Sequence, residues 1–294
     1  MNMDKLINPR RQTNWDWRAA GNFIGGGSGS GLLLFYAIAA VSGLVSPLAG
    51  LMGLGLIGLG LFCVWMEIGR PLRAMNVFRH VQTSWMTREA MVAPPLFLCG
   101  LLSVWTGNAL WAALTGLLAI AFLYCQARIV HAAKGVPAWR AQRSVPLLFA
   151  TGLCEGAGFL AFVLAFEGKA SQAAWLPVVL LPLLIARALF WRAYRRELSA
   201  QNTPRQALAA LNKIEVPFIW TGHAATGTLI VAALAIPALN GAWLAGAAGL
   251  LVAVSGWLFK YTLIVRASFK QGYALPRLPV RGSGVPPQSA GARS

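Results

Sequence analysis

Nine ionisable side chains stand within or at the edges of apolar stretches of this sequence: Glu67, Arg88, Glu89, Arg128, Glu155, Arg187, Glu215, His223 and Lys260. Carboxylates and imidazoles in such surroundings can move protons, and guanidinium or amide groups can orient a carbonyl oxygen. A charge at the middle of a bilayer costs at least about 2.5 kcal/mol on insertion scales, so these residues come first in a search for function. Glu67 and Glu89 flank one loop, and acids reach back to the interface poorly. Glu155, set among Gly152, Gly156 and Gly158, is the deepest acid, and reads either as a structural partner for an arginine or as a proton carrier. His223 fits a helix-to-helix hydrogen bond somewhat better than a ligand contact. Arg128, Arg187 and Lys260 are expected to snorkel to the headgroups, and Glu215 beside Lys213 to cap a helix start.

The elements that carry these groups are membrane helices. Hydrophobic residues make up 57% of the 294 residues and charged ones 11%, against roughly 25% charged in soluble domains. Stretches of the required ~20 residues predict an all-α protein of eight spans, at about 22–44, 48–68, 87–107, 109–130, 147–166, 173–193, 214–237 and 242–265. Residues 1–21 then form an N-terminal arm, 22–265 the membrane domain and 266–294 a tail, whose Pro, Gly and Ser from residue 272 onward predict disorder or a partner's surface. Of the 25 Lys and Arg, only Lys169 falls in the short links at one face, 45–47, 107–108, 167–172 and 238–243. The other face holds the long basic links 69–86, 131–146 and 194–213 with both termini. Positive charge is retained in the cytoplasm, so an N-in, C-in orientation is expected, in a bacterial inner membrane. The net charge of +17 is explained by loops facing anionic lipid, without nucleic acid. Arg10-Arg11 is followed by polar and aromatic residues rather than an apolar core, so the arm is expected to lie on the membrane surface, with Trp15 and Trp17 at headgroup level.

Cys63, Cys99, Cys125 and Cys154 sit singly in four spans, without the close pairing that zinc or iron–sulfur sites need, and read as small apolar residues. His80 and His131 lie outside or at the edge of spans, which leaves His223 without a facing partner for a haem. Neither haem nor metal is therefore expected in this chain. Glycines spaced by four, Gly21, Gly25 and Gly29, then Gly27 and Gly31, point to closely packed helices. The other reading is room for a flat ligand near Asn22, at the inner end of the first span. Gly25-Gly26-Gly27 lacks the strand and the Gly-Lys-Ser sequel of a phosphate loop.

Glu67-Ile68-Gly69-Arg70-Pro71-Leu72-Arg73-Ala74, followed by Thr83-Ser84-Trp85-Met86-Thr87-Arg88-Glu89, resembles the signature between the second and third helices in the membrane anchors of DMSO reductase and polysulfide reductase. Eight spans agree with that family. The resemblance implies a haem-free subunit of two four-helix bundles, docked to a four-cluster iron–sulfur protein and a molybdopterin catalytic subunit, with a quinone, ubiquinone or menaquinone, bound near the docking face. It aligns Glu89 with the family's acid in Ser-Trp-x-x-Arg-Glu and Asn22 with a polar site at the start of the first helix. Glu67 departs from the His that many members carry before the Gly-x-Pro turn.

The expected site therefore has Glu89 and Glu67 as proton-handling groups, with Asn22, Arg70, Trp85, Arg88, Glu89, Glu155 and His223 around the quinone. The basic arm and Tyr273-Ala274-Leu275-Pro276-Arg277-Leu278-Pro279 look most like the anchors of phenylacetyl-CoA:acceptor oxidoreductases, with sulfite dehydrogenase or DMSO/polysulfide reductase anchors as alternatives. Two other classes stay open. A secondary transporter would place its site at mid-membrane on helices broken at Pro94-Pro95, Pro177 or Pro182. An inert anchor would have no quinone site at all.

Overall fold

The computed structural model describes residues 9–67, 82–236 and 241–271, and its described part is helical with no strand. Among the described residues eight helices are long and apolar enough to cross a membrane, as hydropathy predicts. The first four spans are α1 (Trp17–Val41), α2 (Pro47–Glu67), α3 (Trp85–Thr106) and α4 (Ala109–Ala132). A short helix α5 (Pro137–Arg140) leads into α6 (Ser144–Phe166) and then α7 (Trp175–Ala200). The seventh span joins α8 (Arg205–Ile219), a π turn at Trp220–Ala225 and α9 (Thr226–Ala235). The eighth is α10 (Gly241–Tyr261) with a π turn at Thr262–Arg266.

Local chemistry sets several ends. The Asp16 carboxylate caps α1 by accepting from Arg18 N at 2.8 Å, Ser84 Oγ caps α3 through Thr87 N at 3.3 Å, and Asn108 Oδ1 caps α4 through Leu110 N at 2.8 Å. Gly107, with φ of 62°, closes α3 in the left-handed region. Pro94 and Pro95 lie inside an unbroken α3, and Pro182 inside α7, so the breaks considered at these prolines do not occur. The seventh span is irregular along its length, where a π turn follows Pro217, and the eighth at its end.

α1 is the hub, packed against α2, α4, α6 and α10. Backbones meet there because side chains are missing. A Cβ on Gly25 or Gly29 would strike the α2 backbone, one on Gly31 would strike Gly152 of α6, and one on Gly158 would strike Gly249 of α10. Close helix packing accounts for these glycines. In the second half, α6 packs against α7 and α10, and α9 lies against both α7 and α10.

The links differ from the sequence reading at one face. Residues 194–213, expected as a loop, are mostly helix, because α7 runs to Ala200 and α8 begins at Arg205. A stripe of Trp191, Tyr194 and Leu198, continued by Ala207, Leu211 and Ile214, is buried at helical spacing. That stripe keeps both helices wound past the apolar limit. At 26 residues α7 reaches about 39 Å, against a hydrocarbon core of roughly 30 Å.

The N-terminal arm is tied down at the same end. Arg10 and Gln12 pair with residues 268–270 through Lys270 N to Arg10 O and Gln12 N to Ser268 O, both 2.9 Å. Trp15 stacks on Trp139 at 4.8 Å, so it is packed against α5 rather than lying free on the surface, while Trp17 is exposed. At the opposite end Lys169 pairs with Glu167 at 3.4 Å and donates to Val45 O at 3.2 Å, which brings two of the short links together.

Candidate functional site

Asn22 on α1, Glu67 at the end of α2 and Glu89 in the second turn of α3 face one narrow cleft. Its remaining wall is apolar and includes Trp15, Phe23 and Met86. α2 is held beside the start of α1 by Arg18, whose guanidinium bonds the Asp16 carboxylate at 2.9 Å and Met66 O at 3.0 Å. This Arg18 bond also holds the Asp16 carboxyl below the usual carboxylate range. Glu67 is half-buried at the mouth, and Glu89 is buried at 6% exposure.

Glu89 is held from behind. Gln126 of α4, which is 3% exposed, donates from Nε2 to Glu89 Oε1 at 3.0 Å and to Asn22 O at 3.1 Å, and the Asn22 side chain lines the same cleft as the carboxylate. Both partners of Nε2 are oxygens, which fixes the orientation of the Gln126 amide. Asn22 Oδ1 and Gln126 Oε1 are buried with no partner among the described residues. A carboxyl group supported by the Gln126 amide in such a cleft can take up or release a proton toward a bound carbonyl oxygen, and a free amide oxygen can accept from a bound hydroxyl.

The other expected residues divide into separate places. Trp85 lies between the guanidinium groups of Arg88, at 4.2 Å, and Arg128, at 4.7 Å. Trp85 and Arg128 line a more open hollow of about 520 Å³ with His131, Lys134 and Arg140, on the basic end of the molecule. Arg70 lies outside the described residues, as do His80 and the tail beyond residue 271. Glu155 is fully buried and does not line the cleft; its Oε2 accepts from Lys260 Nζ at 2.6 Å and from Ser28 Oγ at 2.7 Å. Trp257 Nε1 in turn donates to Ser28 Oγ at 2.8 Å.

His223 is placed elsewhere again. Arg187 Nε donates to His223 Nε2 at 3.2 Å, so the other ring nitrogen carries the proton and donates to Phe218 O at 3.1 Å. Arg187 also bonds Gly222 O, exposed to it by the π turn, Val252 O at 3.3 Å and Ser255 Oγ at 3.3 Å. The helix-to-helix reading of His223 therefore describes what it does. Arg187 and Lys260 do not snorkel, since they are 0% and 2% exposed. Glu215 pairs with Arg195 at 3.6 Å instead of capping its own helix.

Gln126 is the residue that sequence reasoning missed. A neutral amide inside a span carries little of the cost that singles out a charge, and its signal is only a polar side chain amid the apolar run of α4. A further cavity, of about 290 Å³, opens at the other end of the molecule among Leu164, Leu176, Pro177 and Ala245, and no ionisable group among the described residues lines it.

A family model described as DMSO reductase anchor subunit (DmsC) matches residues 23–213. A comparison with curated proteins gave no match. The matched stretch holds Glu67, Glu89, Gln126, Glu155 and Arg187, and stops short of His223 and Lys260. Eight spans, the Glu67-to-Glu89 signature and this match lead to one conclusion: the chain belongs to the DMSO reductase anchor subunit family, the membrane anchors of molybdopterin oxidoreductases that work with an iron–sulfur subunit.

Proposed function

We propose that this chain holds a membrane quinone in the cleft between α1, α2 and α3, and passes electrons between it and an iron–sulfur partner docked at the basic end. The observation that carries the reading is the buried Glu89 carboxyl, held by Gln126 in a largely apolar cleft that it shares with Asn22 and Glu67. A bound quinone supplies the redox chemistry, a two-electron and two-proton change. The chain supplies position and protons. Glu89 exchanges a proton at the inner end of the cleft, Glu67 connects its mouth to water, and Asn22 Oδ1 and the apolar ring of Trp15, Phe23 and Met86 set the depth of the headgroup. The polar groups fit such a ligand, since a protonated Glu89 can donate to a quinone carbonyl and Asn22 Oδ1 can accept from a quinol hydroxyl, but the free volume is about 50 Å³, well below the roughly 300 Å³ of small-molecule sites. Binding therefore has to part the walls, and the exposed, unbranched Met86 is the wall that moves most easily.

The basic end faces the cytoplasm in this reading, and with it the four-cluster iron–sulfur subunit and the molybdopterin subunit. Electrons then flow from a cytoplasmic substrate to quinone, with phenylacetyl-CoA the first candidate and sulfite the second. The test is Glu89→Gln in the complete complex, measured with quinone and with a water-soluble artificial acceptor. We expect quinone reduction to fall by about 100-fold, the lower range for loss of a general acid–base group, while the soluble acceptor is reduced at the normal rate. An unchanged quinone rate would remove Glu89 from the mechanism.

A further inference from the structure

Glu155 and Lys260 form an ion pair enclosed by α1, α6 and α10, and the proposed quinone cleft does not reach it. Paired charges inside a membrane protein are costly to keep and tend to mark function. The neighbour that connects this pair to the cleft is Gln126. Its Oε1 is buried and without a partner among the described residues, and Gln126 lines a small hollow of about 10 Å³ together with Lys260, Gly27 and apolar side chains. A Cβ built on Gly27 would touch Lys260 Nζ and lie 3.8 Å from Gln126 Oε1, so Gly27 faces the space between the two groups. That hollow is the size of one water molecule, and it has a cationic donor on one side and a free acceptor on the other.

We propose that one internal water joins the Lys260 ammonium to Gln126 Oε1, and that the Glu155–Lys260 pair acts through it as a positioning device for Glu89. The chain of contacts runs from Trp257 through Ser28, Glu155 and Lys260 to the water, then through Gln126 to Glu89. With its oxygen engaged by the water, Gln126 keeps Nε2 turned toward Glu89 and toward Asn22 O. A flip of the amide would set three oxygens against one another and turn an NH₂ group toward a cation. The charged groups that face Glu89 and its supports are Glu67 from α2, Asp16 and Arg18 at the start of α1, the neighbouring Arg88, and, beyond Gln126, Lys260, Glu155 and Arg187.

This inference rests on Glu89 as the acid of the cleft, and the test separates the two claims. The carboxyl infrared band of Glu89, assigned by its loss in Glu89→Gln, is titrated in the intact complex without quinone. Two variants are compared with wild type: Gly27→Ala, whose methyl group would overlap the Lys260 ammonium and so pushes it out of its place without changing charge, and the double change Glu155→Gln with Lys260→Met. Each is expected to displace the titration midpoint by roughly half a pH unit or more. An unmoved midpoint in both overturns the inference even if Glu89→Gln abolishes quinone turnover. A moved midpoint upholds it even if Glu89→Gln turns over normally, in which case only the quinone reading fails. Should neither variant assemble, a high-resolution map of the wild-type complex decides: density between Lys260 Nζ and Gln126 Oε1 upholds the water, and an empty gap overturns it.

Discussion

Glu155 and Glu89 are both buried acids and do different things, and the difference lies in their partners. Glu89 ends on a cleft and receives an amide donor, whereas Glu155 receives an ammonium and a hydroxyl and is closed off. Removing one partner of a buried pair leaves the other charge stranded, a loss of about 3–5 kcal/mol, while neutralising both is far milder. Lys260→Met alone should therefore sharply lower the melting temperature of the detergent-solubilised protein, and adding Glu155→Gln should restore most of it; equal melting temperatures for single and double variants would show that the pair contributes nothing. The sequence revealed which residues were titratable and their depth along each span. It did not reveal which way each faced, because hydropathy fixes position along the membrane normal and says little about rotation about a helix axis. That is why Glu155 and His223 were grouped with Glu89, and why Arg187, thirteen residues before the end of α7 at Ala200, was expected at the headgroups.

At the scale of elements, three consecutive glycines let α1 serve as hub. Successive positions on a helix turn by about 100°, so Gly25 meets the backbone of α2, Gly26 the Gln126 amide of α4 and Gly27 the Lys260 ammonium of α10. One short run thus sets the helix spacing and makes room for the polar groups behind the cleft. The packing reading of the glycine spacing was legible in the sequence; the separate duty of each glycine was not, since that needs the neighbours in place. Overpacking at a backbone-to-backbone contact costs about 1–3 kcal/mol. Gly31→Ala and Gly156→Ala, each facing backbone across the α1–α6 contact, should lower the yield of folded protein and its melting temperature. Gly55→Ala, whose Cβ would meet nothing within 4 Å, should leave both unchanged. A Gly31→Ala protein as stable as wild type would mean that the two helices are not held this closely.

For the whole molecule, the eight spans and the sorting of links by charge were the most legible features, because long apolar runs and lysine or arginine counts are read directly. The helical extension of 194–213 was hidden, since charged residues there mask a buried stripe. Orientation follows from charge alone and is open to test: a cysteine placed at Lys169 should react with an impermeant thiol reagent added outside intact cells, and one at Arg205 should react only after the cells are opened. The reverse pattern would turn the complex around and put its catalytic partner outside. Molecular polarity also gives the quinone reading its sharpest test, because the acidic cleft at Glu89 and the apolar hollow at Leu176 and Ala245 lie at opposite ends. A map of the intact complex with a tight-binding quinone-site inhibitor is predicted to show the inhibitor among Asn22, Glu67 and Glu89, with Met86 displaced. Density in the apolar hollow instead, with the cleft closed around Glu89, would contradict it.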